Sequence, residues 1–109
     1  MSLLNILENR LNLIKNLEEN WDGYGASIIS PEVIENTITF LNTLGERSDI
    51  EEDDITPTPY GSIVVDLPKV SIEIGKKKIG WFSLNDDLND SMGEDTDFIN
   101  LPEKLKELL

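Results

Sequence analysis

Histidine and cysteine are both absent from the 109 residues. Their absence excludes His- and Cys-based nucleophilic catalysis, zinc fingers, iron–sulfur sites and disulfides. Basic residues are scarce, with 9 Lys+Arg against 22 Asp+Glu and a net charge of −13. A nucleic-acid binder works through clustered cations that neutralise phosphates, so direct nucleic-acid binding is not expected. Long apolar runs are also missing. No window approaches the roughly 18 consecutive apolar residues of a membrane helix, and the first residues lack the charged and apolar regions of a signal peptide. A cytoplasmic protein with no membrane role is the expectation. No cofactor motif and no metal site is expected either.

What remains is enough for one domain, spanning 1–109. Apolar residues make up 39% of the chain, sufficient for a modest core. From Ser2 to Glu19, the residues Leu3, Leu4, Ile6, Leu7, Leu11, Ile14 and Leu17 recur at three- and four-residue steps and predict a helix. A second helix starts at Ser30-Pro31-Glu32, where an N-cap serine precedes a first-turn proline and a glutamate. Val33, Ile34, Ile38, Phe40, Leu41 and Leu44 form its apolar face, and Gly45 is placed to close it. Candidate strands follow at 55–58, 62–67, 70–74 and 79–84, with another at Phe98-Ile99. Pro57 and Pro59 mark the first as an edge. Val70, Ile72 and Ile74 alternate with Ser71 and Glu73, as in a half-buried strand. Short connections imply an antiparallel meander. Residues 102–109 read as a short amphipathic helix. The fold class is α+β: two N-terminal helices, a meander sheet of 3–5 strands and a short C-terminal helix.

Between the helices lies Trp21-Asp22-Gly23-Tyr24-Gly25-Ala26. Two glycines around aromatics imply an irregular turn. Asp22 can fold its carboxylate onto backbone N–H groups, and Trp21 and Tyr24 are expected to cover the junction between the helices. The motif reads as structural more readily than catalytic. With Asn20, the same run resembles a family of small, largely uncharacterised bacterial and phage-associated proteins sharing Asn/Asp-Trp-Asp-Gly-Tyr-Gly-Ala. Ser30-Pro31-Glu32 and Pro57-Thr58-Pro59-Tyr60-Gly61 match that family's helix start and its turn into the strands. The family's following strand often ends with an acidic residue and a tryptophan, whereas here Leu67 follows Asp66. The resemblance covers about residues 15–83. It implies a compact α+β domain of prokaryotic or viral type and carries no chemistry.

The charge is local. Residues 46–54 carry a net −5 and residues 86–97 a net −6, nearly all of the total. Such runs favour solvated loops. They also focus negative potential that steers a basic partner. An EF-hand-like count from Asp87 through Asn89 and Ser91 fails at Met92 and Phe98, where glycine and glutamate are required, so no metal is assigned. Ser62 and Ser83 have no histidine to activate them, Gly23 and Gly25 make no phosphate loop, and Lys76-Lys77-Lys78 reads as a solubilising turn.

The expected function is therefore a non-enzymatic acidic binding protein of the antitoxin, immunity or phage anti-defence type. It would dock on a basic protein, with nucleic-acid-binding proteins among the candidates, through Glu51, Glu52, Asp53, Asp54, Asp86, Asp87, Asp90, Glu94 and Asp95. Two alternatives are a small-ligand or enzymatic site at the Trp21–Ala26 turn, with Asp22 as acid and Tyr24 as donor, and a structural oligomerisation module.

Overall fold

In the computed structural model, residues 3–44, 50–83 and 92–95 are described. Helix α1 spans Leu3–Lys15 and α2 spans Pro31–Leu44. Five strands follow: β1 Ile55–Pro57, β2 Ile63–Asp66, β3 Val70–Ile74, β4 Ile79–Ser83 and β5 Met92–Asp95. They form one antiparallel meander in the order β1-β2-β3-β4-β5. The expected α+β architecture is present. The positions of Gly45, Phe98-Ile99 and the C-terminal helix lie outside the described residues.

The period-two pattern explains the packing. Ile63 and Val65 of β2, Val70, Ile72 and Ile74 of β3, and Ile79 and Trp81 of β4 are buried on one side of the sheet. Leu7, Leu11 and Ile14 of α1 and Val33, Phe40 and Leu41 of α2 join them in one apolar cluster. The other side carries Thr56, Asp66 and Glu73, all exposed. Thr37 is a polar residue within the buried stripe of α2. Its hydroxyl donates to the Val33 carbonyl at 2.8 Å, which satisfies it without a partner outside the helix.

Two helix boundaries have local causes. Ser30 caps α2: its carbonyl accepts from the N–H groups of Val33 and Ile34, and its hydroxyl lies 3.4 Å from the Val33 nitrogen. The first helix ends at Lys15, four residues before the expected end at Glu19. Asn16 turns its side-chain amide back onto the Asn12 carbonyl at 2.9 Å, and Leu17 N–H closes a tighter bond to the Ile14 carbonyl. These contacts satisfy terminal carbonyls and stop helix propagation.

The described parts of the two acidic segments, 50–54 and 92–95, take up regular structure. Ile50 is buried, and Glu52–Asp54 form a 3-10 turn leading into β1. Glu94 and Asp95 lie on β5, with Glu94 opposite Gly80 and Asp95 opposite Ile79. Strand propensity is low for Gly, Glu and Asp, so this strand owes its conformation to the ladder offered by β4.

The outer edge of β1 is closed. Arg10 Nε donates to the Ile55 carbonyl at 2.8 Å, and Ile55 N–H is bonded to the Glu52 carbonyl. Pro57 has no N–H to offer. Strand addition needs a row of free donors and acceptors, and this edge lacks one. Among the described residues, no helix is long and apolar enough to cross a membrane.

Candidate functional site

Three surface features carry chemistry. The first is the turn between the helices. Asn20 adopts a left-handed conformation with φ 63°, and Gly23 and Gly25 have φ 78° and 85°. Asparagine and glycine tolerate this region at the lowest steric cost. Asn20 N–H donates to the Ala26 carbonyl at 2.8 Å, while its side-chain oxygen accepts from Gly25 N–H at 2.6 Å. Asp22 Oδ1 accepts from Tyr24 N–H at 2.8 Å and from Ala26 N–H at 3.1 Å, as its sequence position implies. The Trp21 indole donates to the Ser27 carbonyl at 2.8 Å.

This network fixes the aromatics differently from expectation. Trp21 is half-buried, but Tyr24 is 93% exposed and does not cover the helix junction. The two glycines, together with the bonds at Asp22, turn the Tyr24 side chain outward. Replacing Asp22 with alanine removes an acceptor for two N–H groups and is expected to lower stability by about 1–2 kcal/mol. Asp22→Asn retains the Oδ1 acceptor and should lose less. Urea denaturation of both variants measures the difference. Equal losses would show that the negative charge matters more than the acceptor.

Beside this turn lies a cavity of about 310 Å³, lined by Arg10, Leu13, Ile14, Leu17, Trp21, Thr56 and Pro57. The small-ligand alternative requires a concavity here, and one is present. Neither Asp22 nor Tyr24 lines it, and its walls are mainly apolar. Asp22 is occupied by backbone N–H groups, so it is not positioned to act as an acid in that cavity.

The second feature is a polar cluster at the end of the sheet. Ser62 Oγ donates to Glu73 Oε2 at 2.6 Å and lies 2.6 Å from Thr58 Oγ1. Ser62, Glu73, Gly75, Lys78 and Gly80 line a recess of about 360 Å³. In the sequence, Ser62 stands out only as a serine without a histidine to activate it. Its partner Glu73 lies eleven residues away and is delivered by strand pairing, a relation that no local motif encodes.

The third is the acidic surface. Glu51, Glu52 and Asp53 are exposed. Glu51 and Asp54 hold their turn closed: Asp54 N–H donates to the Glu51 carbonyl at 3.0 Å, and Glu51 N–H donates to Asp54 Oδ2 at 2.9 Å. Glu94 and Asp95 belong to the opposite edge strand, four strand spacings or roughly 19 Å from β1. The structure therefore does not bring these two groups into one cluster. Asp86, Asp87 and Asp90 lie outside the described residues. Among the described residues, no group of three or more Asp or Glu converges as a metal site.

Sequence reasoning also missed Leu13 and Tyr60, which are 65% and 89% exposed. A signal for Leu13 existed: it is a large apolar residue outside the periodic stripe of α1. Tyr60 stands beside Gly61 in a turn, where the sequence carries no signal beyond the turn itself. No family model matches this chain, and no curated protein or solved structure matches it.

Proposed function

We propose that this chain is a small acidic binding protein that acts by stoichiometric contact with a basic protein partner, without catalysis of its own. The inhibitor class fits this reading: an antitoxin, an immunity protein or a phage-encoded anti-defence protein in the cytoplasm. The supporting observation is the 3-10 turn at Glu52–Asp54. It presents exposed carboxylates of Glu51, Glu52 and Asp53 on a hydrogen-bonded element leading into the sheet. A turn whose backbone is already held loses less freedom on binding than a loose tail. Their field also raises the rate of encounter with a cationic surface.

Tagged protein incubated with lysate of its source cells tests the reading. A basic protein should be recovered in near-stoichiometric amount at low salt and lost at high salt, because exposed charges are screened. With that partner purified, the triple reversal Glu51→Lys, Glu52→Lys and Asp53→Lys should slow association by about tenfold or more. Association unchanged by the reversal would overturn the role of this turn. Recovery of no basic partner at either salt would overturn the reading itself.

A further inference from the structure

The large hydrophobic residues exposed among the described residues are Leu13, Tyr24, Ile28 and Tyr60. The segments that carry them are linked to one another. Leu13 and Trp21 share the cavity beside β1 with Pro57. The Trp21 indole is bonded to the Ser27 carbonyl, and Ser27 N–H is bonded to the Pro59 carbonyl at 2.9 Å. Gly61 then packs against the Ile28 backbone. Two turns carrying Tyr24 and Tyr60 are thereby tied to each other and to the groove.

Exposed tyrosines on turns tied to an apolar groove have the composition of an interface centre. Binding hot spots favour Trp, Tyr and Arg, and these residues occur here together with Arg10. The Tyr24 turn is held by Asn20 and Asp22 before any partner arrives, which limits the entropy lost on binding. Arg10, whose Nε is taken up by the Ile55 carbonyl, is the cation in the lining, and the neighbouring segments are acidic. Glu18 and Glu19 lie between the groove residues Leu17 and Trp21, and Glu51, Glu52 and Asp53 precede β1; all five are exposed. A second copy of this chain would meet like charge. A strand cannot add to β1, because Ile55 is already bonded on both sides and Pro57 has no donor.

We propose that the surface formed by Leu13, Trp21, Tyr24, Ile28 and Tyr60 docks an amphipathic basic helix of a partner protein. The helix places an apolar side chain in the groove and lysines or arginines against the acidic rim, a helix-in-groove mode of recognition. This inference rests on the basic-partner reading above and moves the centre of contact from the carboxylates to the aromatics.

The test uses the full chain and a synthetic 14-residue leucine/lysine helix as probe, followed by amide NMR shifts and titration. Shifts should concentrate at residues 13, 21–28 and 57–61. The exposed pair Tyr24→Ala and Tyr60→Ala should together weaken binding by about tenfold or more. Glu51→Gln, Glu52→Gln and Asp53→Asn should weaken it further and reduce its salt dependence. A leucine/glutamate helix should not bind. If the tyrosine variant binds the lysine probe as tightly as wild type while the neutralised variant does not, attraction is electrostatic alone. The groove inference then fails and the acidic reading stands. Failure of the lysine probe to bind at all also overturns the groove inference, leaving the acidic reading to its own capture experiment. A dimer mass in sedimentation that the tyrosine variant abolishes would assign the surface to a second copy and overturn the helix proposal.

Discussion

Replacing Phe40 with alanine is expected to lower the unfolding free energy by about 3–5 kcal/mol. Phe40 is fully buried on α2, within the cluster that joins both helices to the inner face of the sheet. Truncation removes its transfer free energy and leaves a void that the surroundings fill only in part. A domain of this size has about 5–15 kcal/mol in total, so the variant would lose a large fraction of its stability. Phe40→Leu keeps more of the volume and should lose less. Urea denaturation gives both values, with an unchanged slope indicating that the two-state transition is preserved. A loss below about 1 kcal/mol for the alanine variant would mean that α2 closes onto the sheet around the missing ring.

Gly61→Val is expected to cost about 3 kcal/mol, from two separable sources. Gly61 has φ 89°, a conformation that costs a side-chain-bearing residue about 1–3 kcal/mol and disfavours β-branched residues most. A Cβ at this position would also stand 3.3 Å from the Ile28 carbonyl oxygen, part of the backbone of the neighbouring segment. Gly25 isolates the first source. Its φ is 85°, but a Cβ there would meet nothing within 4 Å. Gly25→Ala should therefore show the backbone cost alone, and Gly61→Ala should exceed it. Equal losses in the two alanine variants would show that the 27–28 segment moves aside freely. That result would also weaken the case that the two tyrosine-bearing turns are held together.

These effects show which parts of the molecule were legible in the sequence. Alternation at Val70, Ile72 and Ile74 placed β3 and its buried face, because a half-buried strand leaves a period-two trace. Ser30-Pro31 located the start of α2 to the residue, since capping chemistry is local. Strand β5 left no such trace: Gly93, Glu94 and Asp95 have weak strand preference, and the pairing comes from β4. The direction of Tyr24 was hidden for a related reason. Its hydrophobic bulk suggested burial, but the positive φ angles on either side of it and the Asp22 bonds turned it to solvent. At the candidate site, the density of carboxylates was plain, whereas the order at Glu51–Asp54 arises from paired backbone and side-chain bonds three residues apart. The groove was invisible because it joins α1 to β1 across more than forty residues of chain.

The bond from Arg10 to Ile55 also limits the stoichiometry of any assembly built by sheet extension. An open-ended filament needs each subunit to use two edges, one for the neighbour above and one for the neighbour below. Among the described residues, the β1 edge offers no pairing row, so the five-stranded sheet has at most the β5 edge to contribute. Two copies joined through that edge would be related by a two-fold axis, and among the described residues the pair would have no sheet edge left for a third. Growth by this route therefore ends at two, and loss of the single Arg10 side chain would remove part of the block that makes it finite.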